Sequence, residues 1–330
     1  MKNAQLVATL VLLLSGCGSG PNGGPGGEPD GSPSGTAPPA AGNGAIAFVR
    51  VDPDDAVEDG VVPPASLVLV TSEGRERVLA TVTQATPAWS PDGSTLAYAG
   101  EGGIRLLVPG EQPRRLTWCD PSSCVGDGPP GWSPNGRTVV FGSDRAGSEG
   151  LWTVPAAGGV PVLLAASLTV QGAPSWSPDG STIAVLATRH GSGESAVVLV
   201  DAASGSPSAT LEQPGVSFGG TVTWSPDGSA LLVTASVQER AGEAVYLMRP
   251  DGSDLRVLTA CRNEACIDVW PGWSPDGELV VFTRGRCDQP GSDCFSGDLY
   301  VISADGGLPR RLTEGPGLDC CAAWQPVPEA

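Results

Sequence analysis

Residues 176–185 read Trp176-Ser177-Pro178-Asp179-Gly180-Ser181-Thr182-Ile183-Ala184-Val185: a tryptophan, a tight turn and an apolar run. The phrase Trp-Ser-Pro-Asp-Gly recurs down the chain. It begins at Trp89, Trp132, Trp176, Trp224 and Trp273, with Asn135 in place of Asp in the second copy, and a degenerate sixth copy, Trp-Gln-Pro, begins at Trp324. Successive tryptophans lie 43, 44, 48, 49 and 51 residues apart. Ser-Pro-Asp-Gly suits a type I turn. Proline presets φ at the first central position, Asp tolerates the second, and Gly takes the left-handed position that follows.

Working outward from the turn, each copy opens an apolar strand such as Thr138-Val139-Val140-Phe141, Thr182-Ile183-Ala184-Val185 or Leu279-Val280-Val281-Phe282. These runs are nearly continuous rather than alternating, as expected of sheets buried on both faces. A third strand follows (Leu151-Trp152-Thr153-Val154, Ala244-Val245-Tyr246-Leu247, Leu299-Tyr300-Val301-Ile302), then a Gly-containing turn and an outer strand such as Arg310-Arg311-Leu312-Thr313. Several strands per unit and a period of about 40–50 residues predict an all-β chain, a β-propeller of four-stranded antiparallel blades. The first and last units are incomplete in complementary ways. Trp324 has an inner strand only, and residues 45–49, 67–70 and 77–79 supply three strands with no preceding Trp. Joined, they make one blade, so residues 45–330 are expected to form a single six-bladed ring closed by the strand at Trp324.

The unit Trp-Ser-Pro-Asp-Gly, apolar strand, Ser143-Asp144-Arg145, Leu151-Trp152, Gly158-Gly159 and a closing Leu-Thr resembles the PD40 (WD40-like) repeat of the TolB propeller family, over nearly the whole chain after residue 44. The resemblance implies a six-bladed propeller working in the bacterial envelope. The chain departs from the family pattern in having no α/β domain ahead of the repeats. It is also similar to the propellers that cap prolyl oligopeptidase-like peptidases, but no hydrolase domain and no Gly-x-Ser-x-Gly elbow are expected here.

The N-terminus reads as a lipoprotein signal. Lys2 gives a small positive region, residues 6–14 are apolar but shorter than a membrane span, and Leu14-Ser15-Gly16-Cys17 resembles a lipobox. Residues 1–16 are expected to be removed and Cys17 lipidated. Residues 17–44, rich in Gly, Pro, Ser and Ala, read as a disordered tether. The expected location is extracytoplasmic, on the cell membrane or, in a bacterium with two membranes, the outer membrane.

The formal charge of −18 argues against nucleic acid and against docking on acidic lipid headgroups. Contact with the membrane is expected through the lipid alone. Lys2 is the sole lysine, which removes lysine nucleophiles from the mature chain, and a single histidine, His190, argues against multi-histidine metal sites. No catalytic set is visible, and no cofactor is expected. The acidic stretch 52–60 is the one place that suggests Ca²⁺, and it lacks EF-hand spacing.

Beyond Cys17 lie eight cysteines, which in an exported chain read as disulfides. Cys119 and Cys124, Cys261 and Cys266, and Cys320 and Cys321 precede Trp copies, and Cys287 and Cys294 lie between a second and a third strand. All eight are expected in loops on the face opposite the Ser-Pro-Asp-Gly turns. Pairing within each loop is the simplest scheme. A Cys320–Cys321 bridge would be vicinal and strained, so cross-loop pairing is the alternative, and a zinc or iron–sulfur site is the competing reading. The same loops carry Trp118 and Trp270, read as binding anchors, with packing over the disulfides as the alternative. Arg50 and Arg284 share one register of the second strands, and Arg145, Arg189 and Arg286 share another two residues on. Together they form an arginine mouth suited to a carboxylate or an acidic peptide, with pairing to Asp144 or Asp288 as the alternative. The reading is a lipid-anchored module binding an envelope protein or peptide. The alternative is a Ca²⁺-dependent enzyme or sugar binder, similar to six-bladed lactonases.

Overall fold

A computed structural model describes residues 43–52, 64–82, 86–120, 122, 124–147, 149–188, 195–237, 242–259, 266–286 and 296–327. The described chain is all-β apart from one 3-10 turn at Arg145–Gly147. β1 (Ile46–Val51), β2 (Ala65–Val70) and β3 (Glu76–Val82) open it. Four antiparallel sheets of four follow, each of successive strands: β4 (Ala88–Trp89), β5 (Leu96–Gly100), β6 (Gly103–Leu107) and β7 (Arg114–Arg115); β8 (Asp127–Trp132), β9 (Thr138–Ser143), β10 (Gly150–Pro155) and β11 (Val162–Ala166); β12 (Thr169–Trp176), β13 (Thr182–Thr188), β14 (Ser195–Asp201) and β15 (Pro207–Leu211); β16 (Val216–Trp224), β17 (Leu231–Val237), β18 (Ala244–Met248) and β19 (Arg256–Val257). β20 (Cys266–Trp273), β21 (Leu279–Arg286), β22 (Ser296–Ser303) and β23 (Arg310–Arg311) make a fifth unit, and β24 (Leu318–Trp324) ends the chain. β24 pairs antiparallel with β1, Ile46 opposite Trp324 and Val51 opposite Leu318, so the two ends of the chain share one unit with β2 and β3. One bridge from β22 to β24 (Gly297 to Leu318) merges the last two units into a single sheet.

The repeat phrase builds each turn with its own side chains. Ser177 Oγ donates to Asp179 at 2.6 Å and accepts the amide of Thr182 at 3.0 Å, while Asp179 accepts the amide of Ser181 at 3.0 Å. The same bonds recur around Ser90, Ser133, Ser225 and Ser274. Gly180, at φ 73°, has its Cβ position 3.3 Å from Pro134 of the preceding turn, so only glycine suits both the backbone and the neighbour. The indole N–H of Trp132 donates to the Ala88 carbonyl at 3.1 Å, tying two units together.

Six apolar clusters form the core, and each bridges two neighbouring units. Leu186 and Leu199 meet Val222 and Tyr246; Leu232 and Leu247 meet Phe282 and Tyr300; Val281 and Leu299 meet Phe48 and Val68; Val49 and Leu67 meet Leu96 and Tyr98. The runs are continuously apolar because each sheet buries both faces in this way.

Every inner strand from β8 on shifts register at one place: between Asp127 and Pro130, Gln171 and Ser175, Gly219 and Val222, Val269 and Gly272, and, for β24, opposite Ala47 to Val49. Gly172, Gly220, Trp270 and Cys321 take positive φ there (64°, 68°, 51° and 60°). Such bulges bend a strand and re-aim its side chains.

Candidate binding face around the central cavity

The residues just before the tryptophans converge on one cavity of about 260 Å³. Ala88, Gly131, Ser175, Thr223, Gly272 and Ala323 line it, all of them small, with Trp270 and Cys321 at the bulges. A wider hollow of about 540 Å³ lies among the turns around Asp92 and Asn135, whose side chains already bond within their own turns.

Trp118 lies between β7 and β8. It is half exposed (50 %), and Arg115 stacks on it with the guanidinium 4.3 Å from the ring centre. Beneath it lies Gly102, whose Cβ position would be 2.2 Å from the indole. The neighbouring Cys119 donates its amide to the Gly102 carbonyl at 2.8 Å and is bridged to Cys124, with Cα atoms 6.1 Å apart. Val125, also exposed, follows the bridge. An aromatic held between a stacked arginine and a close glycine, beside a disulfide, presents a rigid surface.

Trp270 does not match the expectation of an exposed loop anchor. It lies inside β20, 6 % exposed, packed with Val269, Leu96 and Cys321. The bulge and its left-handed φ turn the ring inward to wall the cavity. Cys320 and Cys321 also sit within a strand rather than a loop. Both are buried free thiols with Sγ atoms 2.8 Å apart. Cys266 is disulfide-bonded. Cys17, Cys261, Cys287, Cys294, Arg189, His190, Asp288 and residues 53–60 lie outside the described residues.

The described arginines of the expected mouth are already paired with carboxylates. Arg284 makes a two-pronged bond to buried Asp268 at 2.7 and 2.8 Å, and lies over Phe282 and Tyr300 with centroid distances of 5.5 and 5.0 Å. Arg50 binds Asp319 in the same way at 2.7 and 2.9 Å, lies 5.1 Å over Phe48, and also reaches Glu76. Arg145 pairs with Asp127, over Phe141 and Trp152. Arg286 and Arg311 share Asp298. The partners are therefore not Asp144, which instead accepts the amide of Val125 at 2.9 Å. Three of them stand at one offset that the sequence displays: Asp127, Asp268 and Asp319 each lie five residues before a repeat tryptophan, Trp132, Trp273 and Trp324. That recurrence is the signal that finds them.

The third and fourth sheets break the pattern, the third with Gln171 five residues before Trp176. At the same offset before Trp224 stands Gly219, and the Glu243 carboxylate fills its side-chain space, 2.9 Å from the Cβ position. Ala235, opposite Phe218 in β17, stands in the register of Arg284. Burial without a counter-charge pushes the Glu243 carboxyl up to about 7. Among the described residues the metal-capable group is Cys119, Cys124 and Asp144, and its two cysteines are bonded to each other.

Residues 158–293 match the family model of the TolB beta propeller domain, PD40. The fold is TolB-like. TolB from Acinetobacter baumannii superposes with a TM-score of 0.68 at 20% identity, covering 88% of this chain and 68% of that one. The putative TolB from Agrobacterium tumefaciens gives 0.61 at 21% identity, covering 82% and 90%. An oligogalacturonate lyase in complex with manganese gives 0.53 at 19% identity, covering 77% and 72%. At these identities the likeness is one of fold.

Proposed function

We propose that this chain is a lipid-anchored, extracytoplasmic propeller that binds another protein or peptide of the bacterial envelope through the face carrying Trp118. Residues 1–16 are the signal peptide, Cys17 the lipidated residue, 17–44 the tether and 45–330 the propeller. Its six blades close through the pairing of β24 with β1. The observation that carries the binding role is Trp118: a half-exposed indole pinned by a disulfide, a stacked arginine and a close glycine. Rigid aromatic anchors dominate protein interfaces because they bury a large area while losing little conformational freedom.

A photo-crosslinking residue at position 118, with a control at exposed Ser181 on the turn face, tests this in the native envelope. One protein captured from position 118 and not from 181 is the expected result. Equal capture from both, or none from either, removes the binding role. A metal-dependent enzyme or sugar binder is the competing reading, since a manganese complex of an oligogalacturonate lyase shares the fold. It requires a rise in melting temperature with added Ca²⁺ or Mn²⁺. Our reading expects none.

A further inference from the structure

The four described arginines of the mouth each face a carboxylate, so the ligand charge they suggest in isolation is the wrong one. Among the described residues, Glu243 carries a largely buried carboxylate with burial as the one cause of its raised pKa and no ion pair. We propose that Glu243 is a recognition carboxylate that receives the guanidinium of an arginine carried by the docking partner. The inference rests on the binding role argued above and names the chemistry of its ligand.

Neighbouring blades supply the template. On β20 and β21 the fold seats a carboxylate, Asp268, and a guanidinium, Arg284, in a two-pronged bond above an aromatic pair. On β16 and β17 the carboxylate place is kept, filled by Glu243 from the segment leading into β18, while the arginine register holds Ala235. Across the ladder from Gly219 stands Thr234, whose buried hydroxyl has no protein partner either. The charged group beside Glu243 on β20 is Asp268, whose amide donates to the Glu243 carbonyl at 3.0 Å and whose carboxylate is occupied by Arg284. Gly219 on β16 and Ala235 on β17 bring no charge. A divalent cation fits poorly, since hard cations need six or more oxygen ligands and, among the described residues, no group of three carboxylates, histidines or thiolates includes Glu243. A guanidinium needs one carboxylate edge. The formal charge of −18 draws a cationic partner toward the whole molecule.

The test is a carbon-13 NMR titration of the Glu243 carboxyl in the full-length protein. The probe is N-acetyl-L-arginine amide, with N-acetyl-L-citrulline amide as the uncharged isostere. Free protein should titrate near 7. Saturating arginine amide should move the midpoint down by about one unit or more, the effect of an opposite charge at contact distance, while citrulline amide leaves it in place. Glu243→Gln should weaken arginine-amide binding about tenfold or more at pH 8. A midpoint unmoved by arginine amide, or equal affinity in wild type and Glu243→Gln, overturns the proposal. Capture at position 118 separates the two readings. Unchanged capture in Glu243→Gln removes the arginine contact and leaves the binding role standing. Absent capture in both proteins removes the binding role, and the titration still decides whether Glu243 takes a guanidinium.

Discussion

Glu243 and Asp268 reach the same end of adjacent blades, yet their charges are held in opposite ways. Asp268 is fully buried and bonded to a guanidinium, whereas Glu243 keeps some solvent exposure and carries no ion pair. Because its folded pKa lies above the unfolded value, Glu243 favours the native state fully below about pH 4.3, and that contribution is lost as pH rises through 7. The loss amounts to roughly 3 kcal/mol. The turn aspartates act the other way. Asp92, Asp179 and Asp227 are held low, chiefly by bonds from Ser90, Ser177 and Ser225, and lose their contribution as pH falls through those lowered values. Urea midpoints should therefore decline between pH 5 and 8 in wild type and stay nearly level in Glu243→Gln. Parallel curves would count against an unpaired carboxyl. At Asp268 the expectation is steeper: Arg284→Ala removes the two-pronged partner of a buried carboxylate and should cost about 3–5 kcal/mol. Removing Asp268 as well should recover part of that loss, because an unmet buried charge is worse than none.

The turn was legible in the sequence because its code is local. Ser, Pro, Asp and Gly each do one job within six residues, so Ser177→Ala should cost about 1 kcal/mol. It should also raise the Asp179 pKa, whose largest support is the Ser177 hydroxyl, and a carboxyl NMR titration reads both states. The bulge was not legible. Its left-handed residue is Gly172 or Gly220 in two strands but Trp270 or Cys321 in two others, so no residue type marks it. Trp270 and the Cys320–Cys321 pair were misread for that reason, since a tryptophan or cysteine near a loop gives no hint that the strand has already begun. The arginines were legible as a register, but their partners lie on another strand, and only the recurring five-residue offset before Trp132, Trp273 and Trp324 reveals them.

At the scale of the molecule, the incompleteness of the first and last units told the topology in advance, and β24 does lie beside β1. The six inter-unit clusters include one that joins β24 and β1 to β5, so the C-terminal strand holds two neighbours at once. Deleting residues 318–330 should abolish the single cooperative transition and expose β1 as an edge. Calorimetry and size-exclusion chromatography should report a broadened transition and aggregation, and an intact sharp transition would refute the latch. The same latch sets where the chain enters. Asn43 bonds Asp276 at 2.8 Å, inside a Ser-Pro-Asp-Gly turn, and the Ala45 carbonyl accepts the Gln325 amide at 2.7 Å. The described chain thus begins on the turn side of the sheets. A leash of the composition of residues 17–44 spans about 30 Å. Lipid at Cys17 would lay the turn side toward the bilayer and hold Trp118 and Glu243 outward, like an upturned cup, open to whatever crosses the space beyond the membrane.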